Sequence, residues 1–107
     1  MAKVKITVIK KLNYKDLFGD NPPCALNDES IFEPECPLLS VGQEFIISGA
    51  DSYPPGFCAW AFAQISSDIV HLFFGGDYSE FKDKGVVISC CTDGLRPVIF
   101  KLERIED

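Results

Sequence analysis

The chain opens on a strict alternation. Val4, Ile6 and Val8 fall on one side of an extended segment, and Lys3, Lys5 and Thr7 fall on the other. Period two with β-branched residues predicts a half-buried strand over residues 3–10. Its lysines would face water and help guard an edge. The segment LNYKDLFGD then predicts a short helix ending near Gly19. Next comes NPPCALNDESIFEPECPLLSVG, with four prolines and no sustained period. Irregular segments of this length in a small domain are often functional. VGQEFIISG predicts a turn followed by a strand, in which Gln43, Phe45 and Ile47 alternate with Glu44, Ile46 and Ser48. ADSYPPG breaks the chain again.

Residues 57–74 carry the helical period. Phe57, Trp60, Ala61, Ile65, Ile69, Leu72 and Phe73 recur at three- and four-residue steps and form one stripe. The first turns are apolar all round, so that end should be deeply buried, and the glycines at 75 and 76 should stop the helix. A further short turn of helix is expected in DYSEFKDKG. The C-terminal GVVISCCTDGLRPVIFKLERIE predicts two strands around Asp93-Gly94, a dipeptide suited to a type I′ turn. That turn would set Cys91 across from Arg96, Ser89 across from Val98, and Val87 across from Phe100. Both faces are apolar near the turn, which predicts a central or doubly covered hairpin. The expected architecture is one α+β domain over residues 1–107. It has four or five mostly antiparallel strands, in a barrel-like curl or packed against one main helix.

Composition narrows the functional classes. With 47% apolar residues, 107 residues can bury a core without covalent staples. The net charge of -6 disfavours a surface that tracks phosphates, so no nucleic acid is expected as a partner. The N-terminus has no continuous apolar stretch of the signal-peptide kind. The run GFCAWAFAQI is too short to cross a bilayer, so no membrane association is expected. A cytoplasmic location follows as the expectation. Structural disulfides are uncommon there, and five cysteines cannot all pair within one chain.

The cysteines carry the candidate chemistry. Cys24, Cys36, Cys58, Cys90 and Cys91 show no paired C-x₂₋₄-C knuckle. Adjacent strand residues point to opposite faces, so Cys90 and Cys91 can share one ion only in a bulge or turn. Cys91, placed across from Arg96, is a candidate nucleophile, redox thiol or metal ligand, because a guanidinium beside a sulfur favours the thiolate. The TDG turn could add a backbone nest for an anion. The bland reading has Cys91 packing and Arg96 pairing with an acid such as Asp93 or Glu103. Cys58 should sit at the start of the main helix, where exposed N–H groups favour a thiolate. It could equally pack beside Phe57 and Trp60, since free cysteine is often buried. Cys36, in a proline-flanked loop, has the setting of a ligand or resolving thiol, whereas Cys24 has no charge partner or helix end nearby. His71 and Asp68 can hydrogen-bond at i,i+3 but do not make a general base. Trp60, Phe57 and Phe62 read as core more readily than as the lining of a cofactor cavity. No catalytic set and no cofactor-binding motif is legible, and the sequence names no reaction.

The blocks VKITVIKK, CPLLSVGQEF, GFCAWAFAQI, FGGDY and CCTDGLRPVIFKLERI, in this order, resemble a family of small uncharacterised proteins from bacteria and archaea, many of them anaerobes. The resemblance runs through nearly the whole chain. It implies that Cys36, Cys58, Cys90 and Cys91 lie in the blocks that define the family, and it implies no activity. Three functional expectations result. The first is a metal site formed by Cys36, Cys58, Cys91 and Cys90, holding zinc, iron or an iron–sulfur cluster. The second is a non-catalytic interaction module with core cysteines, meeting a partner protein or a second copy of itself. The third is a thiol redox or nucleophilic protein.

Overall fold

The computed structural model describes residues 2–23 and 34–106 of the chain. In order, the elements are β1 (Ala2–Lys11), α1 (Tyr14–Phe18), β2 (Glu44–Ile47), α2 (Ala59–Phe73), β3 (Val86–Cys90) and β4 (Val98–Glu106). The four strands form one antiparallel sheet in the order β2-β1-β4-β3, with α2 packed on one face. The sheet is open and has two edges, so it does not close into the barrel-like form that the sequence suggested. The α+β class with one main helix is as expected.

The alternation in β1 sets the two faces. Val4, Ile6 and Val8 are fully buried and meet Ile47, Phe45, Leu102 and Phe100 from the neighbouring strands. On the opposite face, Lys5 lies 3.6 Å from Glu44 and 3.8 Å from Glu103. That face is open: Ile46, Ile88 and Ile105 are exposed, and so is Cys90. The hairpin is therefore covered on one side only. Strand β4 is central, while β3 is an edge.

Helix α2 buries Ala61, Ile65, Ile69 and Leu72 against the sheet. The spacing of four, four and three residues keeps them on one stripe. Trp60 departs from the expected stripe and is 57% exposed, and Ala59 beside it is also exposed, so the first turn is not deeply buried. The reason is angular. Phe57 and Ala61 already occupy the sheet-facing side, and Trp60 is turned about 100° away from Ala61. The helix ends where Arg104 meets it. The Arg104 guanidinium donates through Nη1 to the carbonyls of Leu72 at 3.1 Å and Gly76 at 2.8 Å, at the negative end of the helix dipole. A Cβ at Gly76 would overlap the His71 ring, which would have to move aside. The segment after it forms turns, and the expected extra turn of helix is absent. Helix α1 forms as expected on an Asn13 cap: Asn13 Oδ1 accepts from Lys15 N–H at 2.8 Å, and Gly19 closes it.

Two local features were not legible in the sequence. The first is a bulge at Ile9, between the pairs Val8–Phe100 and Lys10–Ile99. The extra residue reverses the parity of β1, so Lys11 rather than Lys10 lies beside Val98 on the helix side. The second is the β3–β4 connection. The pairs are Val87–Leu102, Ser89–Phe100 and Cys90–Ile99, two residues away from the expected register. Neither Asp93 nor Gly94 has positive φ, which excludes a type I′ turn. Instead Asp93 Oδ1 accepts the N–H groups of Leu95 at 3.0 Å and Arg96 at 3.1 Å and builds a wider loop. A slip of two residues keeps every side chain on its face. Val87, Val98, Phe100 and Leu102 therefore stay buried together as expected.

Candidate functional site

Three segments meet at the Cys91 end of the sheet. The first is residues 36–39, tied down by Lys11. Its Nζ donates to the Cys36 carbonyl at 2.9 Å and to the Leu39 carbonyl at 2.8 Å. The bulge at Ile9 places Lys11 where it can do this. Leu39 is buried in the main core. The second segment is the approach to α2. Phe57 N–H donates to the Pro54 carbonyl, and Tyr53 Oη donates to the Phe57 carbonyl. Phe57 is buried edge-on to Phe45 and Phe62. Cys58 is then the N-cap of a fifteen-residue helix, and its thiol makes no capping hydrogen bond. The third is the loop after β3. Cys91 N–H donates to the Val98 carbonyl at 3.1 Å, and Cys91 Sγ accepts the Val98 N–H at 3.3 Å.

Between these segments lies a cavity of about 240 Å³ lined by Cys36, Cys58, Cys91, Leu38, Trp60 and Phe100 among others. Asp93 and Arg96 also reach its wall. Arg96 Nε lies 3.5 Å from Asp93 Oδ2, so the pairing of Arg96 with an acid holds. The strand register does not place Arg96 across from Cys91, and the two share the cavity instead. The backbone nest expected at TDG is filled by the Asp93 carboxylate itself.

Cys36, Cys58 and Cys91 are partly exposed, and they pack against the core without belonging to it. None of the four described cysteines is fully buried, and Cys36, Cys58 and Cys91 pack at the margin of the core. Cys90 is exposed and does not line the cavity, because it faces the opposite side of the sheet. Cys24 lies outside the described residues. Among the described residues, no three His, Cys, Asp or Glu side chains are gathered in an arrangement that would hold a metal ion. No described helix is long and apolar enough to cross a membrane. Of the aromatic trio, Phe57 is core and Phe62 packs against it, whereas Trp60 lines the cavity. The sequence placed Trp60 on the core stripe in preference to a cavity wall, and it gave no signal for Lys11 as part of the site.

A second group of polar residues lies at the far end of α2. Asp68 accepts from Tyr78 Oη at 2.9 Å, and His71 stacks on the Tyr78 ring, so the expected Asp68–His71 pair gives way to Tyr78. Bonding to the Asp68 carboxylate pushes the Tyr78 hydroxyl above its ordinary 10.0. The Gly85 N–H, with the Arg104 guanidinium assisting, holds the Asp77 carboxyl below its ordinary 3.8. These contacts fasten the loop after α2 to the helix, to Gly85 before β3 and to Arg104 of β4, and are explained by that structural role.

Comparison with family models, with curated proteins and with solved structures gives no match to this chain.

Proposed function

We propose that the protein acts through the thiols of Cys36, Cys58 and Cys91 on a small ligand taken into the cavity they line. One observation carries this reading: three cysteines from three separate segments open onto one apolar cavity, and none of them is part of the buried core. Free cysteines that serve packing alone are usually fully buried. An apolar cavity with a few convergent polar groups is the usual form of a small-molecule site.

The test uses the full chain with Cys24→Ser and Cys90→Ser, leaving three thiols. The folded protein is treated with N-ethylmaleimide and weighed intact. One adduct per molecule is expected, because the first fills the space the other thiols need. Two or three adducts, or none, would overturn the reading.

A soft metal ion, whether zinc, iron or an iron–sulfur cluster, is the second reading for the same thiols. It is favoured by three soft ligands lining one cavity, and it requires them to draw closer together than they lie in this structure. Titration with cobalt(II) under anaerobic conditions tests it. A thiolate-to-cobalt absorption band that disappears in Cys58→Ser is expected on this reading, and the absence of any band would dispose of it.

A further inference from the structure

The cavity is small, and its wall is uneven in a way that constrains the ligand. At about 240 Å³ it can enclose one small ring, and it opens to solvent past Trp60 and Leu38, where the rest of a ligand can extend. Most of the wall is apolar. Trp60 is 57% exposed and Leu38 is 65% exposed, and both line the cavity. Large apolar groups left in water beside a cavity gain most from a flat apolar ligand laid against them. The charged groups in the wall, Asp93 and Arg96, lie against each other, so they offer a multiply charged ligand little net attraction.

The thiols differ in how they are held. The sulfur and the backbone N–H of Cys91 both engage Val98, which fixes the side chain inside the cavity. Cys58 has no capping bond to its thiol. A reaction at a fixed sulfur gains from orientation. Besides the thiols, the titratable groups in the wall are Asp93 and Arg96, which lie against each other, and Asp93 also accepts two backbone N–H groups. Thiol–disulfide exchange suits such a site, because it needs a thiolate and a disulfide and no acid to protonate carbon or oxygen.

We infer that the cavity takes a small apolar disulfide, preferentially an aromatic one, and that Cys91 is the thiol that exchanges with it. This rests on the cavity being the thiol site. Cys91 loses its proton to water, and the thiolate attacks one sulfur of the disulfide R–S–S–R. A bond forms between Cys91 Sγ and that sulfur as the R–S–S–R bond breaks. The electron pair leaves on the other sulfur as R–S⁻, which takes up a proton from water. One disulfide is consumed, and one mixed disulfide and one free thiol are formed. The retained R group lies against Trp60 and Leu38.

The test compares 4,4′-dithiodipyridine with glutathione disulfide on the native full chain. Partial labelling is read at each cysteine by peptide mass spectrometry without reduction. Exposed Cys90 is the internal standard, and it cancels the different intrinsic reactivities of the two reagents. The Cys91-to-Cys90 ratio is expected to be about tenfold higher with dithiodipyridine than with glutathione disulfide. Trp60→Ala should bring the two ratios together while the melting temperature holds, and Leu38→Ser should act in the same direction. Equal ratios in the native protein, or aromatic label arriving first at Cys36 or Cys58, would overturn the inference. A parallel reaction with iodoacetamide separates the two levels. If iodoacetamide reaches the cavity thiols and the ratios are equal, only the disulfide assignment falls. If it reaches Cys90 and none of the cavity thiols, the thiol-site reading falls with it.

Discussion

Cys90 and Cys91 are neighbours in the chain and differ in almost everything else. Strand geometry sends one side chain to the open face and the other to the cavity, and only Cys91 has its sulfur bonded to a backbone N–H. Asp77 shows the same dependence on immediate surroundings. Its carboxyl accepts the Gly85 N–H at 2.6 Å and lies 3.1 Å from Arg104, which lowers its folded pKa below the ordinary 3.8. A lowered folded pKa means that the unfolded chain binds the proton first as pH falls. The stabilisation is therefore complete above 3.8 and is lost as pH drops through the folded value. Urea midpoints measured from about pH 5 down to about pH 3 should fall more steeply for the native protein than for Asp77→Asn. Parallel curves would show that the contact contributes nothing.

The β3–β4 hairpin is the element on which the site most depends. Its loop is shaped by one side chain, because Asp93 holds two backbone N–H groups and also faces Arg96. Asp93→Ala removes the acceptor and leaves both partly buried donors to find water. The expected loss is about 1–2 kcal/mol, read as a lower urea midpoint with an unchanged slope. Because the loop also carries part of the cavity wall, the rate of Cys91 alkylation should change while that of Cys90 stays constant. An unaltered midpoint would mean that the loop is held by its strands alone. The existence of this hairpin was legible from the alternation of Val87, Ser89, Val98 and Phe100. Its register was not, because Asp93-Gly94 also suits turns other than type I′, and only the side-chain hydrogen bonds choose among them.

In the whole molecule, core and site share a wall. Phe100 is fully buried, packs on Phe57 with ring centroids 5.4 Å apart, and also lines the cavity. Phe100→Ala should cost about 3–5 kcal/mol, against roughly 5–15 kcal/mol for a domain of this kind. Urea unfolding should show a fold close to its limit. The enlarged cavity should admit a second maleimide adduct where the native protein admits one. A stability loss below about 1 kcal/mol would show that the cavity side of Phe100 bears no packing load.

Residue order by itself determined the elements and their faces. Period two in β1 and the three- and four-residue steps of α2 are properties of adjacent residues, and burial of Val4, Ile6, Val8, Ile65 and Ile69 followed from them. The candidate cysteines could also be named from the sequence. What only the tertiary structure decided is which of them line one cavity. Cys36 reaches the cavity because Lys11, twenty-five residues away, ties its carbonyl down, and Lys11 points there because of a bulge at Ile9. Trp60 lines the cavity because Phe57 and Ala61 take the sheet-facing side. Contacts between distant segments depend on bulges, loop bonds and competition for the buried face, and no local period encodes those.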